Sequence, residues 1–271
     1  MQIIGLFMVK NEDVYIEQAI RNVVDFCDKI YVDDNGSSDQ TIPIVERLQK
    51  EFSHIHLRSI EDTLESNENL IQYFGTDTWI FAVDGDEIYD KPRLVEMRER
   101  LEKGEFDDWW LIHGNCLHVT KIAEDRSKAT GFMSPPSRSM TKLYNFSMIT
   151  DFPITDERLH GIPVFKNSQE DIKKRLELFN QYSWEESFFR CVHTAFVTRT
   201  SNPETQTSLF GVRLNPPQIH VLKKLWYKSS IFYSVPRIAK LLLEVLFRKD
   251  VRIARYRQGT KTTKDVSEFF V

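Results

Sequence analysis

The sequence predicts an α/β fold: a doubly wound mixed sheet flanked by helices, with a helical extension at the C-terminus. Three observations predict it. Short apolar runs alternate with helix-periodic segments, the connections between them are short, and the runs end in polar turns, where sheets of this kind bind ligands.

Ile3 to Val9 is a continuous apolar run that suits a strand buried on both faces. Ile16, Ile20, Val23, Val24 and Cys27 then fall at helical spacing, with Asn11 or Asp13 available to cap the first turn. Lys29 to Val32 reads as the second strand and ends in Asp33-Asp34-Asn35-Gly36-Ser37-Ser38. Asp39 can cap a second helix with Ile44, Val45, Leu48 and Phe52 on its inward stripe, ahead of a strand near Ile55 to Arg58. Glu65 to Phe74 predicts a helix. Thr78 to Val83 predicts a fourth strand, ending at Asp84-Gly85-Asp86-Glu87. Beyond a helix near Pro92 to Lys103, the pattern changes to long strand-like stretches, Trp109 to Val119 and Met140 to Phe146.

At 271 residues with 41% hydrophobic and 12% aromatic content, the chain can bury a substantial core. Cys27, Cys116 and Cys191 are odd in number, far apart and set among apolar neighbours, which argues for buried thiols in a reducing compartment over a disulfide framework or a zinc site. Met1 to Val9 lacks a basic lead-in and a cleavage site and reads as a strand. No uncharged run approaches the roughly 20 residues that cross a bilayer. The expected location is the cytoplasm.

The net charge of -4 is uneven: residues 218–271 hold twelve Lys/Arg against four Asp/Glu, so residues 1–217 carry the whole acidic excess. Acid concentrated on the main body argues against nucleic acid as a partner. The expected organisation is a ligand-binding half at 1–120, a second half of the same domain at 121–217, and a basic amphipathic helical tail at 218–271.

Two carboxylates one glycine apart at a strand end repel each other, and a hard divalent cation such as Mg²⁺ or Mn²⁺ relieves that repulsion while leaving coordination positions for phosphates. Gly85 would let the backbone approach the ligand closely. An isolated Asp-x-Asp is also an ordinary solvated turn. Its place after the apolar strand Trp79 to Val83, beside a second acidic turn, raises the metal reading above that alternative.

Met8-Val9-Lys10-Asn11-Glu12, Ile30 to Thr41 and Trp79 to Glu87, in this order and spacing, resemble family 2 glycosyltransferases over roughly residues 1–120. The resemblance implies the GT-A fold, a nucleotide-sugar donor that is usually UDP-linked, and Mn²⁺ or Mg²⁺. It implies base recognition by Asp34, a base pocket lined by the backbone around Met8 and Lys10, a ribose contact from Asp84 and metal ligation through Asp86. Asn11 and Glu12 then set the turn and helix start. Many relatives place an Arg before the fourth strand where this chain has Asn67, Glu68 and Asn69, a departure at the diphosphate contact.

An inverting transferase, the family habit, needs a base for the acceptor hydroxyl. Asp156 and Glu157, with Asp151 behind them, are the nearest acidic candidates, or else a solvated loop. His160 resembles a family element near the metal, although Gly161 stands where an acid is usual; the alternative is a structural hydrogen bonder. His113 and His118 read as structural. Asp171 to Phe189 reads as one helix or two, with Trp184 in the core or stacked on an acceptor sugar. In the tail, Pro236 opens a helix bearing Ile238, Leu241, Leu242, Val245 and Leu246. Residues 218–257 would lie on the inner membrane face, pack on the acidic body or form a dimer contact.

The expected activity is transfer of a sugar to a glycan, a lipid-linked glycan or another hydroxyl acceptor. A sugar nucleotidyltransferase would begin with a glycine-rich loop, and Met8 to Glu12 holds no glycine. The third reading is a binding or scaffold protein that keeps the fold without turnover.

Overall fold

A computed structural model describes residues 1–152, 159, 161–194, 196–202, 207–209, 212–214 and 256–271. The elements are β1 (Gln2–Val9), α1 (Ile16–Val23), β2 (Lys29–Asp34), α2 (Thr41–Glu51), β3 (Ile55–Ser59), β4 (Thr78–Asp84), β5 (Glu87–Tyr89) and α3 (Lys91–Glu102). They continue with β6 (Leu111–His113), β7 (Asn115–Ile122), β8 (Lys128–Ser134), β9 (Lys142–Asn145), β10 (Ile149–Asp151), β11 (Val164–Phe165), β12 (Arg175–Glu177) and β13 (Arg190–His193). A hairpin of β14 (Thr207–Leu209) and β15 (Val212–Leu214) and a final strand β16 (Lys261–Asp265) complete the described set.

The main sheet has the order β12-β6-β9-β4-β1-β2-β3. β1 to β4 run parallel, while β9 enters antiparallel between β4 and β6, which makes the sheet mixed. Its faces divide the side chains of β1 between two cores. Ile3, Phe7 and Val9 pack with α1, α2 and α3; Ile4 and Leu6 pack with Leu70 and Tyr73 on the other side. Both faces are thus covered, as the unbroken apolar run of β1 requires.

The chain leaves this sheet at Gly114, between β6 and β7, to build a second sheet of order β16-β8-β7-β13-β5. A Cβ at Gly114 would lie 2.0 Å from the carbonyl oxygen of Phe189. Only glycine fits that crossing, and the stretch Trp109 to Val119, expected as one strand, is divided there between two sheets. β16 closes the second sheet against β8, and Phe269 stacks on Trp184 at 5.6 Å between centroids. Trp184 is therefore a core residue. The helix expected from Pro236 to Leu246 lies outside the described residues. Among the described residues no helix is long and apolar enough to cross a membrane.

Three local expectations are corrected. Neither Asn11 nor Asp13 caps α1, which starts without a side-chain cap; both side chains reach instead to the loop after β2. The segment expected as a helix at Glu65 to Phe74 is a 3₁₀ helix over Thr63–Tyr73, opened by a capping box between Asp62 and Glu65. Within it the Ser66 hydroxyl bonds back to the carbonyl of Thr63, the local competition that makes Ser a poor helix former. Asp171 to Phe189 contains no α-helix: short 3₁₀ turns at Gln169–Lys173 and Leu178–Asn180 flank β12. Its apolar residues serve separate cores, with Leu176, Leu178, Phe188 and Phe189 in one and Trp184 in another, so no single helical stripe forms.

Candidate functional site

The parallel register brings the acidic turns together at the carboxyl edge of the main sheet. Met8 sits beside Asp33 on one side and Asp84 on the other, and Val9 pairs with Asp34. Asn11, at φ 56, stitches the first two strand ends to each other. Its backbone N–H donates to the Ser37 hydroxyl at 2.9 Å and its side-chain oxygen accepts from the Ser38 N–H at 2.8 Å. The Glu12 N–H donates to the Thr41 hydroxyl at 2.8 Å, tying the same loop to the start of α2, while Asp39 accepts from the Thr41 N–H at 2.9 Å.

Asp34 is 1% exposed. Its Oδ2 accepts from the Gly36 and Ser37 N–H groups, each at 3.0 Å, but among the described residues nothing donates to its buried Oδ1. Leaving such an acceptor unmet costs about 1–3 kcal/mol, which a donor-bearing ligand recovers. Lys10 Nζ approaches the same turn at Gly36. Asp33 is fully buried and held by Arg58 at 3.0 Å and by the Asn69 amide. Burial raises its pKa against the opposing pull of that guanidinium. Arg58 also reaches Glu68 and the Glu65 carbonyl, so Glu68 serves here to hold a guanidinium from β3 while Asn69 holds Asp33.

Asp84, half-buried, ends β4, and its N–H donates to Glu87 at 3.3 Å. Asp86 turns inward and is only 2% exposed. Its Oδ2 lies 2.7 Å from Arg199 Nη1 and 3.6 Å from His193 Nε2, and the same Arg199 nitrogen pairs with Glu12 at 3.0 Å. Burial pushes the Asp86 pKa upward, but His193 and Arg199 outweigh it and the net shift is downward. A cation supplied by the chain itself thus answers part of the charge crowding for which the sequence implied a metal. Gly85 is also explained differently from expectation: a Cβ there would meet Glu12 Cγ at 2.9 Å and Val9 Cγ1 at 3.2 Å, so the close approach is to the Lys-Asn-Glu turn.

Sequence reasoning missed Arg199 and His193. β13 pairs antiparallel with β5, setting His193 opposite Glu87, and parallel with β7, setting it beside His118 and Cys191 beside Cys116. The available signal was the repeated Cys-x-His, at Cys116-Leu117-His118 and Cys191-Val192-His193. The ligand-capable atoms of Cys116, His118 and His193 all fall within 4.8 Å of one another, in burial. Asp156, Glu157 and His160 lie outside the described residues. Asp151 is exposed in β10, where its carboxylate accepts from the Phe152 N–H at 2.7 Å.

A model of the family described as glycosyl transferase family 2 matches residues 7–152, more than half of the chain. The chain is 23% identical over 239 residues to an uncharacterized glycosyltransferase of Rickettsia bellii, spanning 85% of this chain and 76% of that protein. It is 24% identical over 194 residues to another from Rickettsia felis, spanning 69% of this chain and 63% of the relative. Among solved structures, S. aureus TarS aligns with a TM-score of 0.41 at 14% identity, covering 72% of this chain and 37% of TarS. Glucosyl-3-phosphoglycerate synthase from Mycobacterium tuberculosis, in complex with Mn²⁺, uridine diphosphate and glucosyl-3-phosphoglycerate, aligns with a TM-score of 0.40 at 15% identity, covering 65% of this chain and 68% of that one.

Proposed function

We propose, since the chain belongs to glycosyl transferase family 2, that it moves a sugar from a UDP-linked donor to a glycan hydroxyl with the help of a divalent cation. The observation that carries the donor reading is the Asp34 carboxylate: buried, held by the Gly36 and Ser37 N–H groups through one oxygen, and met by no donor among the described residues at the other. An imide N–H of uracil supplies a donor of that kind. Met8 and Lys10 line the same edge and Asp84 stands beside Met8, in reach of the ribose on this reading.

Mn²⁺ or Mg²⁺ suits the donor set at the other end of the site. Asp86 and Asp84 offer the hard carboxylate oxygens that these ions prefer, and His193 adds an imidazole nitrogen 3.6 Å from Asp86 Oδ2. When bound, such an ion neutralises charge on the departing diphosphate. Arg199 binds the Asp86 carboxylate before the ion arrives and provides a second positive group for the phosphates, replacing the Arg that relatives carry earlier in the chain. Asp156 or Glu157 takes the acceptor proton, and His160 adds to the metal set. Residues 218–257 bring the enzyme to an anionic membrane surface carrying a lipid-linked acceptor.

The test is a thermal-shift and turnover screen of nucleoside diphosphate sugars with and without Mn²⁺. The right donor raises the melting temperature by mass action, and Asp86→Ala removes metal-dependent turnover while the protein stays folded. Absence of any shift across uridine, guanosine and thymidine donors would refute the donor reading; a folded wild-type protein that binds donor without turnover would be a scaffold.

A further inference from the structure

Behind Asp86 lies a chain of contacts that the donor reading leaves unexplained. His118 Nε2 is 2.6 Å from the carbonyl oxygen of Arg138, His118 Nδ1 is 2.8 Å from His193 Nδ1, and His193 Nε2 is 3.6 Å from Asp86 Oδ2. A carbonyl oxygen only accepts, so His118 carries its proton on Nε2 and leaves Nδ1 bare. Two bare ring nitrogens would repel at 2.8 Å, so His193 donates from Nδ1. That leaves the lone pair of His193 Nε2 facing the Asp86 carboxylate. A bare ring nitrogen and a carboxylate oxygen 3.6 Å apart are close enough to share one cation, and Arg199 already places positive charge on that carboxylate.

We propose that His118, anchored by the Arg138 carbonyl, is a positioning residue that fixes the Nδ1–H tautomer of His193 and so presents Nε2 as a ligand to the cation at Asp86. The inference rests on the reading of Asp86 as a cation site. Both imidazoles are buried, at 0% and 5% exposure, and burial disfavours the doubly protonated form that would blur the tautomer. Tyr256 packs against both rings, tilted over His118 at 4.9 Å and edge-on to His193 at 5.8 Å between centroids, and restricts their rotation. Distal-nitrogen partners of this kind set ring orientation and tautomer in metal-binding histidines. The cluster itself is built for hydrogen bonding: two nitrogens bound tetrahedrally to one zinc at about 2.0 Å stand roughly 3.3 Å apart, more than the 2.8 Å seen here. Cys116 Sγ, at 3.8 Å from His118 Nδ1, stands at the edge of the pair.

Long-range proton–nitrogen correlation spectra of metal-free, ¹⁵N-histidine-labelled protein read the tautomers directly. His193 is expected as Nδ1–H and His118 as Nε2–H; His193 protonated at Nε2 overturns the inference. In the second arm, Mn²⁺ affinity is measured by electron paramagnetic resonance. His118→Phe, which removes the acceptor, is expected to weaken Mn²⁺ binding about 10- to 100-fold. His118→Asn, whose amide oxygen can sit near the position of Nδ1, is expected to restore most of it. Unchanged Mn²⁺ affinity in a folded His118→Phe protein overturns the positioning role. So does stoichiometric zinc in the purified protein with a thiolate charge-transfer band on cobalt exchange. If wild-type protein takes up no Mn²⁺ while the predicted spectrum is present, the Asp86 cation reading fails and the His118–His193 contact stands.

Discussion

Arg199 Nη1 lies 2.7 Å from Asp86 Oδ2, a contact between residues 113 positions apart that sets a cation of the protein where two acidic loops converge. Glu12 shares the same nitrogen at 3.0 Å. Removing the guanidinium leaves two largely buried carboxylates without it, a change that costs about 3–5 kcal/mol when such a pair is broken. Arg199→Ala is therefore expected to melt well below the wild type, and added Mn²⁺ should raise its melting temperature more than that of the wild type. Equal metal-induced shifts in the two proteins would sink the idea that both cations serve one carboxylate.

Asp34→Asn tests base recognition without dismantling the turn. The amide oxygen can still accept from Gly36 and Ser37, and the amide nitrogen then presents a donor where the unmet acceptor was. The loss of a hydrogen bond to a charged group, about 1.5–3 kcal/mol, predicts UDP binding weaker by roughly one to two orders of magnitude in titration calorimetry. Wild-type affinity in the variant would remove Asp34 from the base contact.

Asn11 is held in the left-handed region at φ 56 and accepts from the Ser38 N–H. Alanine loses the hydrogen bond and is strained there, whereas glycine loses only the bond. Asn11→Ala should destabilise by about 1–2 kcal/mol, and Asn11→Gly by less. Denaturant melts that put glycine below alanine would contradict this account.

Burial pushes His113 and His118 down to a pKa of about 4 and His193 to about 3, from an ordinary 6.5. The unfolded chain then binds protons that the folded one refuses. Their contribution is intact above about pH 6.5 and declines as pH falls toward 4, each histidine adding at most about 1.4 kcal/mol per pH unit. Urea unfolding at pH 7, 6 and 5 should show falling stability, and His113→Phe should flatten the slope if it folds. Constant stability over that range would show that the rings are not held neutral.

The Arg190 guanidinium meets Asp90 at 2.6 Å and donates to the Trp184 carbonyl at 2.7 Å, both side chains being buried. Asp90 also caps α3 through the Arg93 N–H. Arg190→Ala should cost about 3–5 kcal/mol and lower the melting temperature without altering donor affinity in whatever fraction stays folded. A near-neutral melt would show the pair to be dispensable.

The alternation of β1 to β4 with their intervening segments was readable because burial on both faces leaves continuous apolar runs bounded by polar turns. The acidic strand ends were readable for a related reason. Parallel strands point the same way, so residues closing separate runs, Asp34 and Asp84, must emerge at one edge. Parts of the second half resisted because β6, β12 and β13 hold only three, three and four residues, and its apolar residues feed different cores. No period develops over such lengths.

The chain by itself determined which groups close the early strands and hence the chemistry gathered at the sheet edge, because local periodicity and turn residues act over a few positions. Only the tertiary structure decided that Asp86 faces inward to Arg199 and His193, and that His118 stands behind His193. Those partners arrive across 75 to 113 residues, and the periodicity and turn residues around Asp86 do not say which distant side chain will share its burial site.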